Sequence, residues 1–364
     1  MNKMHKEKIV VKAPGRTCLF GDHQDYLGLP VIACAIDRYM LLKGEINNNG
    51  QLIVNMPDVG HTRTFKIGKD NGTPEQGDFL LTALKVLEKY GCIPDKGYTV
   101  EITSNIAINA GTSSSSALLL VWVQFLVEAF GCDRKVDKGL LSQLAYEAEV
   151  TYHGSPGGKM DQYSIGMGNI IYLETGDKFS YEMFYQPISG LIVAESGIPK
   201  QTTGVLGELK TKALMAIDEV AKNCPDFNLE TATEEDLPKY LEYVSEDLKI
   251  YFSAAIINHS ITQKALQEFK KTELNVERIG ELMNHHHHIL KDYLDLTVPK
   301  IDNMVDAALA AGALGAKIVG SGRGGSIVVL AKDGDQDKVV KALIEGGAEN
   351  AYAVSVDEGV RIVQ

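Results

Sequence analysis

Arg16, Asp22, His23 and Asp25 fall within ten residues of one another, in the stretch APGRTCLFGDHQDYLGLPVIACA from Ala13 to Ala35. Pro14, Gly15, Gly21 and Gly28 separate them, and apolar runs flank them. This is the pattern of strand ends and tight loops closing on something small and polar. Asp22 and Asp25 together suit a polyol, whose hydroxyls donate to carboxylates. Three later segments carry related chemistry: the serine-rich turn from Gly111 to Ala117, GGKMDQ from Gly157 to Gln162, and GSGRGG from Gly320 to Gly325. Taken together, the four point to phosphoryl transfer.

The segment NAGTSSSSALLLVW sets a glycine turn and small hydroxyl residues at the start of a long apolar helix. Free backbone N–H groups and the positive end of the helix dipole then face whatever anion sits there. Serine hydroxyls can bond phosphate or ligate Mg²⁺, and the same serines also suit a plain helix cap. GxxxxGK[ST] is absent, which excludes a P-loop NTPase. Asp161 follows a turn, where a carboxylate commonly accepts local hydrogen bonds. With Glu149 just upstream, the two could instead serve as metal ligand and base.

GSGRGG satisfies GxGxxG, but the β-branched run SIVVLA follows it, so a strand stands where a dinucleotide site needs a helix. No HRD or DFG accompanies it, and a tight hairpin is the plain alternative. The run His285 to His288 invites a metal reading that helix geometry rejects. Consecutive helical residues splay by about 100°, so a partly exposed helix face is expected.

A chain of 364 residues exceeds one ordinary core, and two domains are expected, 1–195 and 196–364, with the boundary near Gly190 to Pro199. The first half reads as mixed strand and helix, with a helix over Ser115 to Phe130 so apolar all round that it should lie buried. A second amphipathic helix is expected over Lys138 to Tyr152. Beyond Ile198, charged amphipathic helices follow, among them Leu237 to Ala255 and Ser260 to Lys270, before strands return near Ala316. The net charge of −12 argues against a nucleic-acid partner. Five scattered cysteines without CxxC suit a reducing compartment. MNKMHKEKIVV has no apolar signal core, and Ala117 to Val123, the longest apolar run, is far short of the ~20 residues a membrane span needs. A cytoplasmic enzyme with no membrane partner is expected.

These residues resemble the sugar kinases of the GHMP superfamily, and within it the galactokinase branch. PGRTCLFGDHQDYLGLPVIACAI parallels that family's opening PGRxNLxGEHxDYxGGxVLPxAI, and GTSSSSA its serine loop GLxSSSA. AEVTYHGSPGGKMDQ parallels AExxxxGxxxGxMDQ. LMNHHHHIL and GALGAKIVGSGRGG parallel two further family segments. The resemblance implies an α+β, two-domain fold: an N-terminal ribosomal S5 domain 2-like unit, a C-terminal ferredoxin-like unit, and an active site in the cleft between. It implies ATP as co-substrate with Mg²⁺, and Arg16 and Asp161 as the catalytic pair. Gly111, Thr112, Ser113, Ser114, Ser115 and Ser116 would hold phosphate, with Ser115 and Glu149 on the metal. Asp22, His23, Asp25 and Gly158 would bind the sugar. Arg16 would offset the developing charge and hold down the Asp161 pKa, while Asp161 accepts the proton of the hydroxyl or orients it.

Three departures bear on the sugar. Asp22 replaces a glutamate, Cys18 replaces an asparagine, and the segment Glu195 to Lys210 lacks YxxRR. The acceptor implied is O1 of galactose. Another sugar is the alternative (a uronic acid, amino sugar, arabinose, fucose or heptose phosphate), with Lys159 and Lys200 available to a charged substrate. A catalytically silent sugar sensor is the reading of a different class, and a mevalonate-type kinase shares the superfamily but not HxDY.

Overall fold

The computed structural model describes residues 5–364 apart from 69, 156, 177 and 201–203, so part of the Glu195 to Lys210 segment lies outside the described residues. Strands β1 (Lys8–Phe20) and β2 (Val31–Ile46) pair antiparallel over nearly their whole length, Lys8 opposite Glu45 and Phe20 opposite Ile32. Pro14, Gly15 and Arg16 therefore lie inside a strand, where composition alone favours a turn. The register slips at Pro14/Gly15 and again at Cys18/Phe20, and such bulges admit a proline and re-aim the side chains that follow.

β3 (Gln51–Met56), β4 (His61–Lys66), β5 (Tyr98–Ser104), β6 (Ile170–Glu174) and β7 (Ser180–Phe184) extend this sheet. It runs from β1 through β2, β5, β3 and β4, with β6 on the other half of β2 and β7 beyond it. β8 (Leu191–Glu195), β9 (Gly315–Val319), β10 (Ser326–Leu330) and β11 (Asn350–Ala353) form a second, antiparallel sheet in the order β11-β8-β10-β9. β12 (Arg361–Ile362) returns to pair with β1. A single cut at residue 195 therefore does not match the sheets. β8 belongs to the second, and the end of the chain is tied back into the first.

Helix α1 (Phe79–Glu88), α2 (Ser114–Phe130), α3 (Lys138–Tyr146) and α4 (Met160–Met167) pack with the first sheet. Trp122 at the centre of α2 is fully buried and stacks on Phe125, as its all-round apolar surface requires. α3 ends early, and a π-helical turn, Glu147–Thr151, carries Glu149. Further on come α5 (Val205–Asn223), the short α6 (Leu237–Tyr240), α7 (Lys249–Phe269), α8 (Val276–His288), α9 (Pro299–Ala310) and α10 (Gln336–Glu345). α7 is one continuous helix across Asn258 and His259, where two were expected. Both side chains are buried, and His259 Nε2 donates to the Glu230 carbonyl at 2.8 Å, which offsets the cost of a polar residue in the middle of a packed helix.

One apolar core joins the two sheets: Phe20 and Ile32 of the first share it with Val193, Ile327 and Met304 of the second half. The loop after β1 and the β9–β10 turn are held against each other by that core. Among the described residues no helix is long and apolar enough to cross a membrane.

Candidate active site

A cleft of about 480 Å³ lies where these loops meet, and Arg16, His23, Asp25, Ser115, Glu149 and Asp161 all line it. Arg16 projects from the bulged part of β1. Its Nε and Nη2 both bond Asp161 Oδ1, at 2.8 and 2.7 Å, and its Nη1 bonds the Gly111 carbonyl. Asp161 stands in the first turn of α4 and remains 29% exposed, open to the cleft, while Arg16 beneath it is 3% exposed. Burial pushes the Asp161 carboxyl up. The Arg16 charge and a Ser113 hydrogen bond outweigh it and hold the group below its usual value. A carboxylate so held is ionised at neutral pH and a weak base.

Of the serine-loop residues, Ser115 lines the cleft. Gly111 has φ +89°, and a Cβ there would stand 2.9 Å from the Val319 carbonyl, so the loop can dock on the β9–β10 turn only with glycine at this point. Thr112, Ser113 and Ser116, expected to reach phosphate, are buried instead. The Ser113 hydroxyl donates to Asp161 Oδ2 at 2.5 Å, and that of Ser116 to Glu149 Oε2 at 2.7 Å. Ala117 N–H makes the first bond of α2, to Ser113 O, so the N–H groups before it, beside Ser115, are open to an anion.

Glu149 also accepts from Gln162 Nε2 at 2.7 Å on the same Oε2, and Ser115 is a further hydrogen-bonding neighbour of the carboxylate. Burial, above all, pushes its carboxyl up. A hydroxyl and one carboxylate facing a phosphate site fit Mg²⁺, which keeps waters and takes few protein ligands. Among the described residues no group of three or more His, Cys, Asp or Glu could hold a metal alone.

The loop after β1 builds one end of the cleft. Asp25 accepts from the Tyr26 N–H at 3.0 Å. Burial, then the nearby Asp161 charge, push its carboxyl up to about 6. Gly158 faces it, and a Cβ there would sit 2.1 Å from Asp25 Oδ2, so glycine is what admits the aspartate. His23 holds a left-handed backbone, φ 63°, and its Nε2 lies 3.1 Å from the Gly320 carbonyl. With Nε2 donating, Nδ1 is left to accept from Tyr26 O–H at 3.4 Å.

Asp22, expected as a sugar ligand, is among the cleft-lining residues but is held by partners within the protein. Its side chain is 1% exposed, and Lys317 Nζ, itself fully buried, donates to Oδ2 at 2.6 Å. Gly320 N–H donates to Oδ1 at 2.8 Å, so both carboxylate oxygens are bound within the protein. Lys317 also donates to the Cys18 and Ile318 carbonyls at 3.0 and 2.8 Å, using its three protons. Burial alone would raise the Asp22 pKa, but the Lys317 charge and these hydrogen bonds bring it down to about 2. The pair ties the acceptor loop to the β9–β10 turn across the two sheets. Lys317→Met leaves Asp22 buried and uncompensated, with an expected loss of about 3 kcal/mol or more in urea unfolding. A loss under about 1 kcal/mol would contradict the pairing. Because the folded pKa is depressed, the Asp22 contribution is present above pH 4 and lost as pH falls toward 2.

Lys317 was missed in the sequence, although a lysine between buried Ala316 and Ile318 in a hairpin strand signals a hidden partner. Lys159, one candidate for a charged substrate, lies over the Phe179 ring at 4.2 Å and is not part of the cleft lining. Lys200, the other, does line the cleft, and its N–H bonds the Asn109 carbonyl beside the serine loop. Burial lowers its pKa, opposed by Asp161. The histidine run is not a partly exposed face throughout. His286 and His287 are buried, pushed by burial to about 3 and 4, and His287 Nδ1 accepts from Ile318 N–H.

Sequence-family comparison matches the GHMP kinases N terminal domain at residues 78–169 and the GHMP kinases C terminal model at 263–349. The galactokinase galactose-binding signature matches residues 2–43. A galactokinase of Thermotoga maritima is 30% identical over 343 residues, covering 92% of this chain and 93% of its own. A mevalonate kinase of Thermococcus sibiricus is 29% identical over 363 residues, with 98% of each chain covered. Among solved structures, Lactococcus lactis galactokinase complexed with galactose superposes with a TM-score of 0.83 at 23% identity, covering 98% of this chain and 95% of that one. Methanococcus jannaschii mevalonate kinase does so with 0.73 at 19%, covering 98% and 100%. The fold is thus shared by galactose- and mevalonate-named enzymes alike.

Proposed function

We propose that this chain, which belongs to the GHMP kinase family and is a phosphotransferase, moves the γ-phosphoryl group of ATP to the anomeric hydroxyl of a neutral sugar, galactose first. The observation that carries the acceptor class is the charge at that end of the cleft. Asp25 and Asp161 face it, while Arg16 is bonded to Asp161 and Lys317 to Asp22. Mevalonate, a uronate or a sugar phosphate would bring a second anion against those carboxylates, and Lys200, the other cation of the described cleft lining, is engaged with the phosphates in this reading. A neutral polyol instead donates its hydroxyls to Asp25 and to the free face of Asp161. The galactose-binding signature over residues 2–43 supports the same choice.

In this reading the N–H groups at the start of α2, with Ser114 and Ser115, hold the phosphates, and Lys200 meets the charge that develops on the transferred group. Glu149 and Ser115 would hold Mg²⁺, which would supply positive charge beside the phosphates. Arg16 keeps Asp161 ionised and fixed. Asp161 then orients the acceptor hydroxyl and takes its proton late, as the new O–P bond forms, because its lowered pKa disfavours early removal.

The test is ADP release from MgATP with galactose, N-acetylgalactosamine, arabinose, fucose, galacturonate, a heptose phosphate and mevalonate. Turnover is expected on neutral sugars, with the highest kcat/KM on galactose. Preference for an anionic acceptor overturns the reading of the acceptor end. ATP and sugar binding without turnover on any of them would favour the silent sensor.

A further inference from the structure

Ser113 stands at the position that normally caps helix α2, and serine is among the residues best suited to that task. It does not perform it. Its backbone is left-handed, φ 59° and ψ 51°, whereas a capping residue ordinarily takes the extended region, and its side chain makes no cap hydrogen bond. The hydroxyl is turned across the cleft floor to Asp161 Oδ2, 48 residues away in sequence, at 2.5 Å. The residue is 4% exposed, so this bond is sheltered from water. A non-glycine residue in the left-handed region is strained, and the strain persists only where surrounding structure holds it.

Two consequences follow from that geometry. Arg16 binds Oδ1 and Ser113 binds Oδ2, so both oxygens are held and the plane of the carboxylate is set. Diverting the hydroxyl also leaves the first N–H groups of α2 uncapped, open to an anion. We propose that Ser113 is a positioning residue that fixes the Asp161 carboxylate for the transfer step and keeps the helix end open to phosphate. This rests on the phosphotransfer reading above. It replaces the expected role of Ser113 as a phosphate contact with one exerted through Asp161.

Ser113→Ala and Ser113→Gly separate the hydroxyl from the backbone. Both remove the hydrogen bond, but only glycine relieves the left-handed strain. The expected result is a kcat lowered by roughly 10- to 100-fold in both, with KM for ATP and acceptor unchanged. The glycine variant should melt at a higher temperature than the alanine variant. A glycine variant with wild-type kcat would mean that only the backbone matters and would overturn the inference, as would unchanged kcat in both. An acceptor-independent readout is the Asp161 Cγ resonance in ¹³C NMR, assigned by its loss in Asp161→Asn. It should shift in both variants. An unmoved resonance overturns the role of Ser113 whatever the substrate. A shifted resonance in a protein whose wild type phosphorylates no acceptor supports the contact and overturns only the functional reading.

Discussion

Asp161→Asn loses about 10³-fold in kcat while keeping its fold and its affinity for ATP. The substitution is nearly isosteric, and an Asn oxygen can still accept from Arg16 Nε and Nη2, so the buried guanidinium is not left bare. What disappears is the negative charge and the proton acceptor facing the cleft. Because Arg16 already holds the Asp161 pKa low, an effect of this size reports the orienting and late-acceptor role rather than a strong base. ATP should be untouched, since the proposed phosphate site is the start of α2 and the cleft wall at Ser115 and Lys200. Kinetics with calorimetric titration of ATP check it. Near wild-type turnover would remove Asp161 from the reaction, and parallel loss of ATP binding would mean that the cleft had collapsed.

Asp25→Asn moves stability and function in opposite directions. The Asp25 carboxyl titrates near 6 in the folded protein against about 4 unfolded, so the folded state binds more protons in that window. Folding stability therefore falls as pH rises from 4 to 6, and the full penalty of an ionised, buried Asp25 stands above it. Asn removes that penalty. The variant should melt above wild type at pH 7.5 and match it near pH 4, without sugar present. Its sugar KM should rise by roughly 10- to 100-fold, the worth of hydrogen bonds to a charged acceptor. Sugar affinity of the wild type should weaken below pH 6, as the acceptor becomes protonated. A lower melting temperature at pH 7.5 would show that Asp25 is paired rather than waiting for a ligand, and an unchanged KM would move the sugar site elsewhere.

The residues proposed to do chemistry were the easiest to read from the chain. Arg16, Asp161, Glu149 and the serine turn meet in one cleft, and all but Glu149 stand within a few residues of glycine or proline that betrays a turn. Their division of labour was not legible. Six hydroxyl and glycine positions in a row suggest one phosphate loop, yet Ser113 and Ser116 are committed to carboxylates from other segments, a choice made by packing. Asp22 reads as a ligand beside His23 and Asp25 until Lys317, 295 residues later, is brought against it.

The fold shows the same division. The apolar surface of α2 announced its burial, and the β-branched run after GSGRGG announced a hairpin. Pro14 inside β1 was hidden, since a register slip against β2 makes room that local composition cannot reveal. The placement of β8 in the second sheet and the return of β12 to the first depend on pairings across the whole chain. His286 and His287 look solvent-facing in sequence, but α8 packs that side against β9.

The most direct test of the central claim sets galactose against mevalonate in the same ADP-release assay. Relatives bearing both names share nearly the whole of this chain at almost equal identity, so overall identity does not choose between them. The proposed choice of galactose rests on the carboxylates at one end of the cleft and on the signature over residues 2–43. The account predicts saturable turnover on galactose at neutral pH and none above background on mevalonate, with ¹H–³¹P correlation placing the new phosphate on O1 of the sugar. A kcat/KM higher for mevalonate than for galactose would contradict it.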